Sequence, residues 1–382
     1  MSSNPNPPKI LIVDLSKSYG GATSRVLSLM AHFPKEQVAL ATLESGAITR
    51  EAQQRNLRVH IIGRQKTDPR IIVNLIRLIR TERFQVLDSQ NIQSKFYASI
   101  ATTLTNTALV STINSWYANE HGKSSIKGKI YTALELATNW NLSLYITVSK
   151  KDRQSLLRSG ISEDNIELIY NAVAMSGDED PSDKDWLRRK FNLSSDAIIC
   201  LAVGRLVHIK GYDVLLEAVK QASKQVPRLI CIIIGEGENR DELSRQVKQA
   251  GLENRFVLAG YYDREKVLSA LKSCDIFAMP SRYEGTPIAL LEAAAMACPI
   301  LASATGGIPE LVTTEEHALL VPAEDVSALA QSLVRICNDT QLAHRLGKNA
   351  QQRILQKFNM STQVSATLRA YNKAWSLHMR EK

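Results

Sequence analysis

Apolar residues in this chain fall into short runs separated by helical stripes, almost from end to end. In the first half, 10–13, 38–42, 59–62, 86–88, 109–112 and 144–148 read as strands. Between them lie stripes such as Val26, Leu29, Met30 and Phe33, whose i, i+3, i+4, i+7 spacing predicts a helix over 25–33. A second series follows at 197–203, 229–234, 256–258, 276–279, 300–303 and 319–321, with runs apolar on both faces, as in central parallel strands. This alternation predicts an α/β protein with doubly wound parallel sheets. A last helix carries Val364, Leu368, Tyr371 and Trp375 on one stripe. The stretch 176–183 is polar, acidic and turn-forming, as an interdomain linker is. At 382 residues the chain exceeds one ordinary core and suits two domains of roughly 150–200 residues. The expected layout is a domain over 1–174, a linker over 175–190, a domain over 191–360 and a final helix over 361–382. Two such halves would enclose a cleft.

Composition narrows the class. With 44% hydrophobic and 22% charged residues, the chain is neither disordered, collagen-like nor a coiled coil as a whole. No apolar run approaches the ~20 residues of a membrane helix; the richest, 289–304, contains Glu292 and Pro299. The polar, Pro-rich start gives way to Ile10–Val13 and then Asp14, which reads as a first strand rather than a secretory leader. Five cysteines form no C-x-x-C pair, so reduced, buried thiols in a cytoplasmic protein are expected. The net charge of +9 is uneven. Residues 1–174 hold 21 Lys and Arg against 13 Asp and Glu, net +8, which leaves +1 for the rest. The two halves therefore suit different partners.

The most informative stretch is Ser281 to Glu292, directly after the predicted strand 276–279. Thr286 fits an N-cap and Pro287 an N1 residue, predicting a helix that runs through Ala297. Free N–H groups at Gly285, Thr286 and Ile288 would then present the positive end of a helix dipole, a site for phosphate. Glu284 on the loop and Glu292 two turns on suit sugar hydroxyls rather than phosphate. After the strand at 197–203, Arg205 can fork onto two phosphate oxygens and Lys210 adds a point charge, although the pair alone also fits a solvated loop. Gly20 and Gly21 follow the first strand, where backbone can approach a ligand closely or simply turn. Gly235-Glu236-Gly237 starts like a dinucleotide fingerprint, but its third glycine would fall at Arg240.

Arg205, Lys210-Gly211, Glu284-Gly-Thr-Pro with Glu292, Gly306-Gly-Ile-Pro-Glu310 and Gly20-Gly21 occur in the order seen in the retaining glycosyltransferases of family four, group 1, and the chain resembles them over nearly its whole length. The resemblance implies the GT-B fold, two Rossmann-like domains facing a cleft. It also implies transfer of a hexose-type sugar from a nucleotide-diphosphate sugar to a glycan, lipid-linked or small-molecule acceptor, by front-face attack with retained configuration. Glu284, Arg205 and Lys210 are then the catalytic candidates, the two cations holding the diphosphate and Glu284 touching the donor sugar. Glu292 would bind the ribose, and Gly285, Thr286, Pro287, Ile288, Gly20, Gly21, Gly235 and Tyr261 complete the donor-binding set. Asn171-Ala-Val is similar to the family's Asn-Gly-Val segment, and the final helix would cross back to the N-terminal domain.

One departure stands out. Where the family usually has a cleft histidine, this chain has Asn114; His121 and Arg25 are the other candidates for sugar or acceptor contact. No Asp-x-Asp, H-E-x-x-H or Cys/His cluster is present, so no metal and no cofactor beyond the sugar-nucleotide co-substrate are expected. A sugar-nucleotide-binding protein without catalysis is the alternative that Asn114 favours. A nicotinamide oxidoreductase fails on the broken glycine pattern, and no nucleic-acid-binding signature accompanies the basic half. That half includes Arg70, Arg77, Arg80, Arg83, Lys123, Lys127 and Lys129. They suit a solvated face, or one meeting anionic lipid on the inner side of the cytoplasmic membrane.

Overall fold

A computed structural model describes residues 7–16, 20–117, 126–173, 183 and 185–380. The chain divides into two compact units, Met1–Ala172 with Met360–Lys382, and Val173–Asn359.

The first unit contains a parallel sheet of β1 (Ile10–Val13), β2 (Val38–Leu43), β3 (Val59–Gly63), β4 (Val86–Ser89), β5 (Ala108–Ile113), β6 (Leu142–Thr147) and β7 (Ile166–Leu168), in the order β3-β2-β1-β4-β5-β6-β7. Side chains of β1 alternate between two cores. Ile10 and Ile12 pack with Val26 and Leu27 of α1 (Gly21–Met30), below which lies α2 (Ala47–Gln54). Leu11 and Val13 pack with Ile71, Leu75 and Ile79 of α3 (Arg70–Glu82) and Ala98 and Ala101 of α4 (Ile92–Thr103). Helices α5 (Ile126–Ala137) and α6 (Lys150–Arg158) complete the unit's run up to residue 172. Apolar strands covered on both faces explain why the sequence shows continuous runs here rather than alternation. The three-residue edge strand β7 is absent from the sequence reading, because Ile-Glu-Leu is too short and too polar to register as a run.

The second unit opens with α7 (Trp186–Lys190), so the last five residues of the expected linker are structured: Leu187 is buried and its N–H donates to Ser273 Oγ. Then follow β8 (Ile198–Val203), α8 (Tyr212–Ala222), β9 (Leu229–Ile234), α9 (Arg240–Gln249), β10 (Phe256–Gly260), α10 (Arg264–Ser273), β11 (Ile276–Met279), α11 (Ile288–Ala295), β12 (Ile300–Ser303), α12 (Ile308–Leu311), β13 (Leu319–Val321), α13 (Val326–Asn338) and α14 (Thr340–Lys357). Its strands run parallel in the order β10-β9-β8-β11-β12-β13. The five cysteines are unbridged, and four of them are buried.

The final helix, α15 (Met360–Arg380), belongs to the first unit. Tyr371 and Ala374 enter the core shared with α1, and Val364, Leu368 and Trp375 pack at its margin. A buried polar contact helps anchor it: the Tyr371 hydroxyl donates to Asp88 Oδ2 at 2.6 Å, at the end of β4. Asp88 is wholly buried, which pushes its carboxyl above the usual range. The nearby Arg25 charge and the bonds from Tyr371 and Thr112 pull the other way. Tyr371→Phe would leave that carboxylate oxygen unpaired, a loss of about 1–3 kcal/mol. Urea unfolding of the variant, followed by tryptophan fluorescence, should show a lower midpoint at unchanged slope; an unshifted midpoint refutes the anchor.

Candidate active site

Strand order reverses between β8 and β11, which opens a crevice beyond their carboxyl ends, the usual ligand position in such a sheet. Two loops flank it, 204–211 after β8 and 280–287 after β11. Backbone-on-backbone contact seats each of them against a neighbouring loop. Gly235 has φ +151, and a Cβ there would lie 1.9 Å from the Gly204 carbonyl oxygen. Gly306 has φ +56, and a Cβ there would lie 1.7 Å from the Glu284 carbonyl oxygen, which accepts from the Gly307 N–H at 3.0 Å. Only glycine permits both conformation and contact. The broken dinucleotide pattern at Gly235 is thus a packing requirement of the neighbouring loop.

Charged side chains then converge. Lys210 Nζ donates to Glu284 Oε1 at 2.6 Å, and Ser281 Oγ donates to the same oxygen at 2.6 Å. Arg264 Nε meets Glu292 Oε1 at 3.3 Å. Arg282 forks onto Asp213 at 2.9 and 2.7 Å, reaches Glu324 at 2.9 Å and donates to the His208 carbonyl at 2.6 Å. Partial burial works to raise the Asp213 carboxyl, but the Arg282 bonds outweigh it and hold it below the usual range. Those same bonds raise the Arg282 guanidinium. Arg205 stands exposed at the loop's start with no ion pair among the described residues. Tyr261, following β10, is 58% exposed, so it presents its ring to solvent.

Helix α11 begins at Ile288 with Pro287 as its N-cap, one residue later than the spacing predicts. No side-chain cap bond forms there, because Pro287 has no polar side chain. The helix also ends at Ala295, two residues early. Ala297 turns left-handed (φ +58), and Cys298 N–H returns to the Ala293 carbonyl. Gly285 and Thr286 are buried in the loop ahead of it.

Of the expected site residues, Arg205, Lys210, Gly235, Tyr261, Glu284, Gly285, Thr286, Pro287, Ile288 and Glu292 all lie in the second unit, on strand-end loops and the start of α11. In the first unit, Gly20 is the N-cap of α1, Gly21 and Arg25 lie in its first turns, and Asn114 directly follows β5. There, Arg25 is 1% exposed, its Nη1 3.4 Å from Gln90 Oε1, and Asn114 Nδ2 donates to the Gln90 carbonyl at 3.4 Å. His121 lies outside the described residues. Sequence reasoning missed Arg282, Asp213, Ser281, Arg264 and Gln90. Ser281 and Arg282 lie in the informative stretch without a role read for them there; Ser281 acts on Glu284 three residues on, and the partners of the other four are tens of residues away.

Residues 183–353 match the model of glycosyl transferases group 1, and residues 19–176 match that of Glycosyltransferase Family 4. The chain belongs to the family-four, group 1 glycosyltransferases. It is an enzyme, and its two parallel-sheet units are those of the GT-B fold. The UDP-Gal:alpha-D-GlcNAc-diphosphoundecaprenol alpha-1,3-galactosyltransferase of Escherichia coli is 25% identical over 377 residues, 95% of this chain and 96% of that one. The uncharacterized glycosyltransferase MJ1607 of Methanocaldococcus jannaschii is 26% identical over 264 residues, 67% of this chain and 66% of that one. Among solved structures, Anabaena Alr3699/HepE in complex with UDP and glucose superposes with a TM-score of 0.84 at 22% identity, over 96% of this chain and 99% of that one.

Asp213 provides a pH test of the loop clamp. Its carboxyl is lowered from 3.8, so its pairing stabilises the fold above that pH and is lost as pH falls through the folded-state value. Arg282→Gln should therefore cost about 1–2 kcal/mol near neutrality, the screening of a half-exposed pair allowed for. The gap between the melts of variant and wild type should narrow as pH falls through the folded-state value of Asp213, leaving the part owed to the His208 carbonyl. A gap that stays constant down to acid would show that the fork does not titrate with Asp213.

Proposed function

We propose that this glycosyltransferase moves a hexose-type sugar from a nucleotide-diphosphate sugar, with retained anomeric configuration and without a metal, to a glycan, lipid-linked or small-molecule acceptor. The observation that carries the reading is the Lys210–Glu284 pair, 2.6 Å apart and largely buried at the switch-point crevice. It holds a cation at the place where a leaving diphosphate would develop charge. Cleavage of the anomeric C–O bond leaves that charge on the β-phosphate. Arg205, Lys210 and the uncapped start of α11 would meet it, each contributing about 2–4 kcal/mol in a dry site. When the donor enters, its phosphate oxygens compete for Lys210, which frees Glu284 to accept from sugar hydroxyls while Ser281 holds its carboxylate in place. Glu292, steadied by Arg264, is suited to the ribose.

The relatives support a uridine donor: the E. coli galactosyltransferase is named for UDP-Gal, and HepE is described with UDP and glucose. The same E. coli name supports a lipid-diphosphate acceptor, met at the inner face of the membrane by a peripheral protein. No helix among the described residues is long and apolar enough to cross a membrane. The first unit, with Arg25, Gln90 and Asn114 at its strand ends, is assigned to the acceptor side.

Incubation with a panel of UDP-, GDP- and ADP-sugars, read by released nucleotide, tests the reading. Arg205→Ala and Lys210→Ala should each lower turnover by about 100-fold or more, the loss of roughly 3 kcal/mol of charge stabilisation, with the melt of the Arg205 variant nearly unchanged and that of the Lys210 variant lowered by the loss of Glu284's partner. Wild-type rates in both variants would refute the phosphate assignment.

A further inference from the structure

All five cysteines of the chain lie in the second unit, and the fold draws two of them from different loops into contact. Cys274 follows α10 and leads into β11, while Cys298 follows α11 and leads into β12. Their sulfurs stand 3.4 Å apart. The backbone holds them there. Strands β11 and β12 are paired, Phe277 N–H donates to the Pro299 carbonyl at 2.9 Å, and Cys298 comes directly after the left-handed turn at Ala297. Both thiols donate to one acceptor, the Leu271 carbonyl in the last turn of α10, Cys274 Sγ at 3.3 Å and Cys298 Sγ at 2.7 Å.

Access separates this pair from the other thiols. Cys274 is half-buried, whereas Cys298 is only 3% exposed. Cys200 and Cys231 also lie side by side, in register on β8 and β9, but both are fully buried, and Cys337 is buried on α13. A single buried thiol serves as a small apolar filler. Two in contact, one of them reaching solvent, allow a chemistry that filling does not need: the outer sulfur meets a reagent and the inner one completes the reaction.

From this contact we infer that Cys274 and Cys298 form a modification site, which closes to a disulfide by exchange with a low-molecular-weight disulfide of the glutathione class. The Cys274 thiolate attacks one sulfur of that disulfide and releases its other half. Cys298 Sγ then gives up its proton, attacks Cys274 Sγ and releases the second half. Two protein thiols are oxidised to one S–S bond and one small disulfide is reduced to two thiols, which take up the two protons. Little movement is required, since sulfurs already in contact reach the ~2.05 Å of a disulfide by side-chain torsion. Contact with Cys298 and burial hold the Cys274 thiol well above its ordinary value, so exchange is slow near neutral pH. The bond ties the end of α10 to the segment after α11, the same two helices that the Arg264–Glu292 pair joins. It also restrains the unfolded chain, which outweighs the loss of two weak thiol donors from the Leu271 carbonyl.

The test incubates the full chain with oxidised glutathione at about pH 8.5, where more of the thiol ionises, then blocks free thiols by alkylation and maps them by mass spectrometry. Wild type should pass from five free thiols to three, with Cys274 and Cys298 peptides joined and the monomer mass kept. Its melt should rise by a few degrees, and dithiothreitol should restore both the thiols and the starting melt. Cys298→Ser should stop at a mixed disulfide on Cys274, and Cys274→Ser should keep its remaining thiols free. Serine still donates to the Leu271 carbonyl, so circular dichroism of both variants should match reduced wild type. Five free thiols after incubation, a mixed disulfide that persists in wild type, or a bond mapped to Cys200 and Cys231 overturns the inference. So does a covalent dimer, an oxidised chain with a lower melt, or a Cys274→Ser variant that still loses two thiols. Thiols are counted with no sugar nucleotide present, so failure of the proposed transfer leaves this site standing.

Discussion

Arg282 holds the geometry of the second unit's site. The two loops that flank the crevice have no ladder of strand hydrogen bonds to align them, so their relative position rests on a backbone contact at Gly211 and on the bonds of Arg282. The Arg282 guanidinium reaches Asp213, Glu324 and the His208 carbonyl, while its backbone N–H donates to the Ile209 carbonyl at 2.8 Å. Its own carbonyl accepts from Thr305 Oγ1 at 2.9 Å, which ties in a third loop. A planar, permanently charged fork can bond both oxygens of one carboxylate while its remaining N–H groups reach further acceptors, which a lysine's point charge does not do. Lys210 and Glu284 sit at the two ends of the clamped region, so their 2.6 Å contact follows from the fork. Charges fixed in advance need no reorganisation when a ligand arrives.

The first unit solves a different problem, because its buried charges hold helices rather than loops. Asp88 takes the Tyr371 hydroxyl and thereby seats a helix nearly three hundred residues away in sequence. Lys95 donates to Glu135, Asn139 and Tyr145, which seats α5 against α4. Burial pulls the Lys95 ammonium down and Glu135 opposes that pull, so the pair is stable only as a pair. Asn114 and Arg25 both reach Gln90 at the end of β4, which concentrates the strand-end polar groups on one residue. Asn114, where the family resemblance leads to the expectation of a histidine, is a side chain tied to backbone.

Local pattern determined much of this protein. Runs apolar on both faces marked twelve of the strands within one or two residues, because a strand buried in a parallel sheet cannot hide its composition. Glycines at strand ends and the spacing from Glu284 to Glu292 pointed to the second unit's candidate site, since backbone contact and helix starts leave short-range signatures. Tertiary structure decided what depends on partners distant in the chain. Examples are the short edge strand β7, the cap at Pro287 rather than Thr286, and the burial of Arg25. The Arg282 fork and the meeting of Cys274 with Cys298 belong with these. An arginine reads the same in sequence whether it faces water or a buried carboxylate. A cysteine reads as a lone thiol until the fold shows what lies against it. Those are properties of packing, set by which segments the sheet order brings together, and no local pattern contains them.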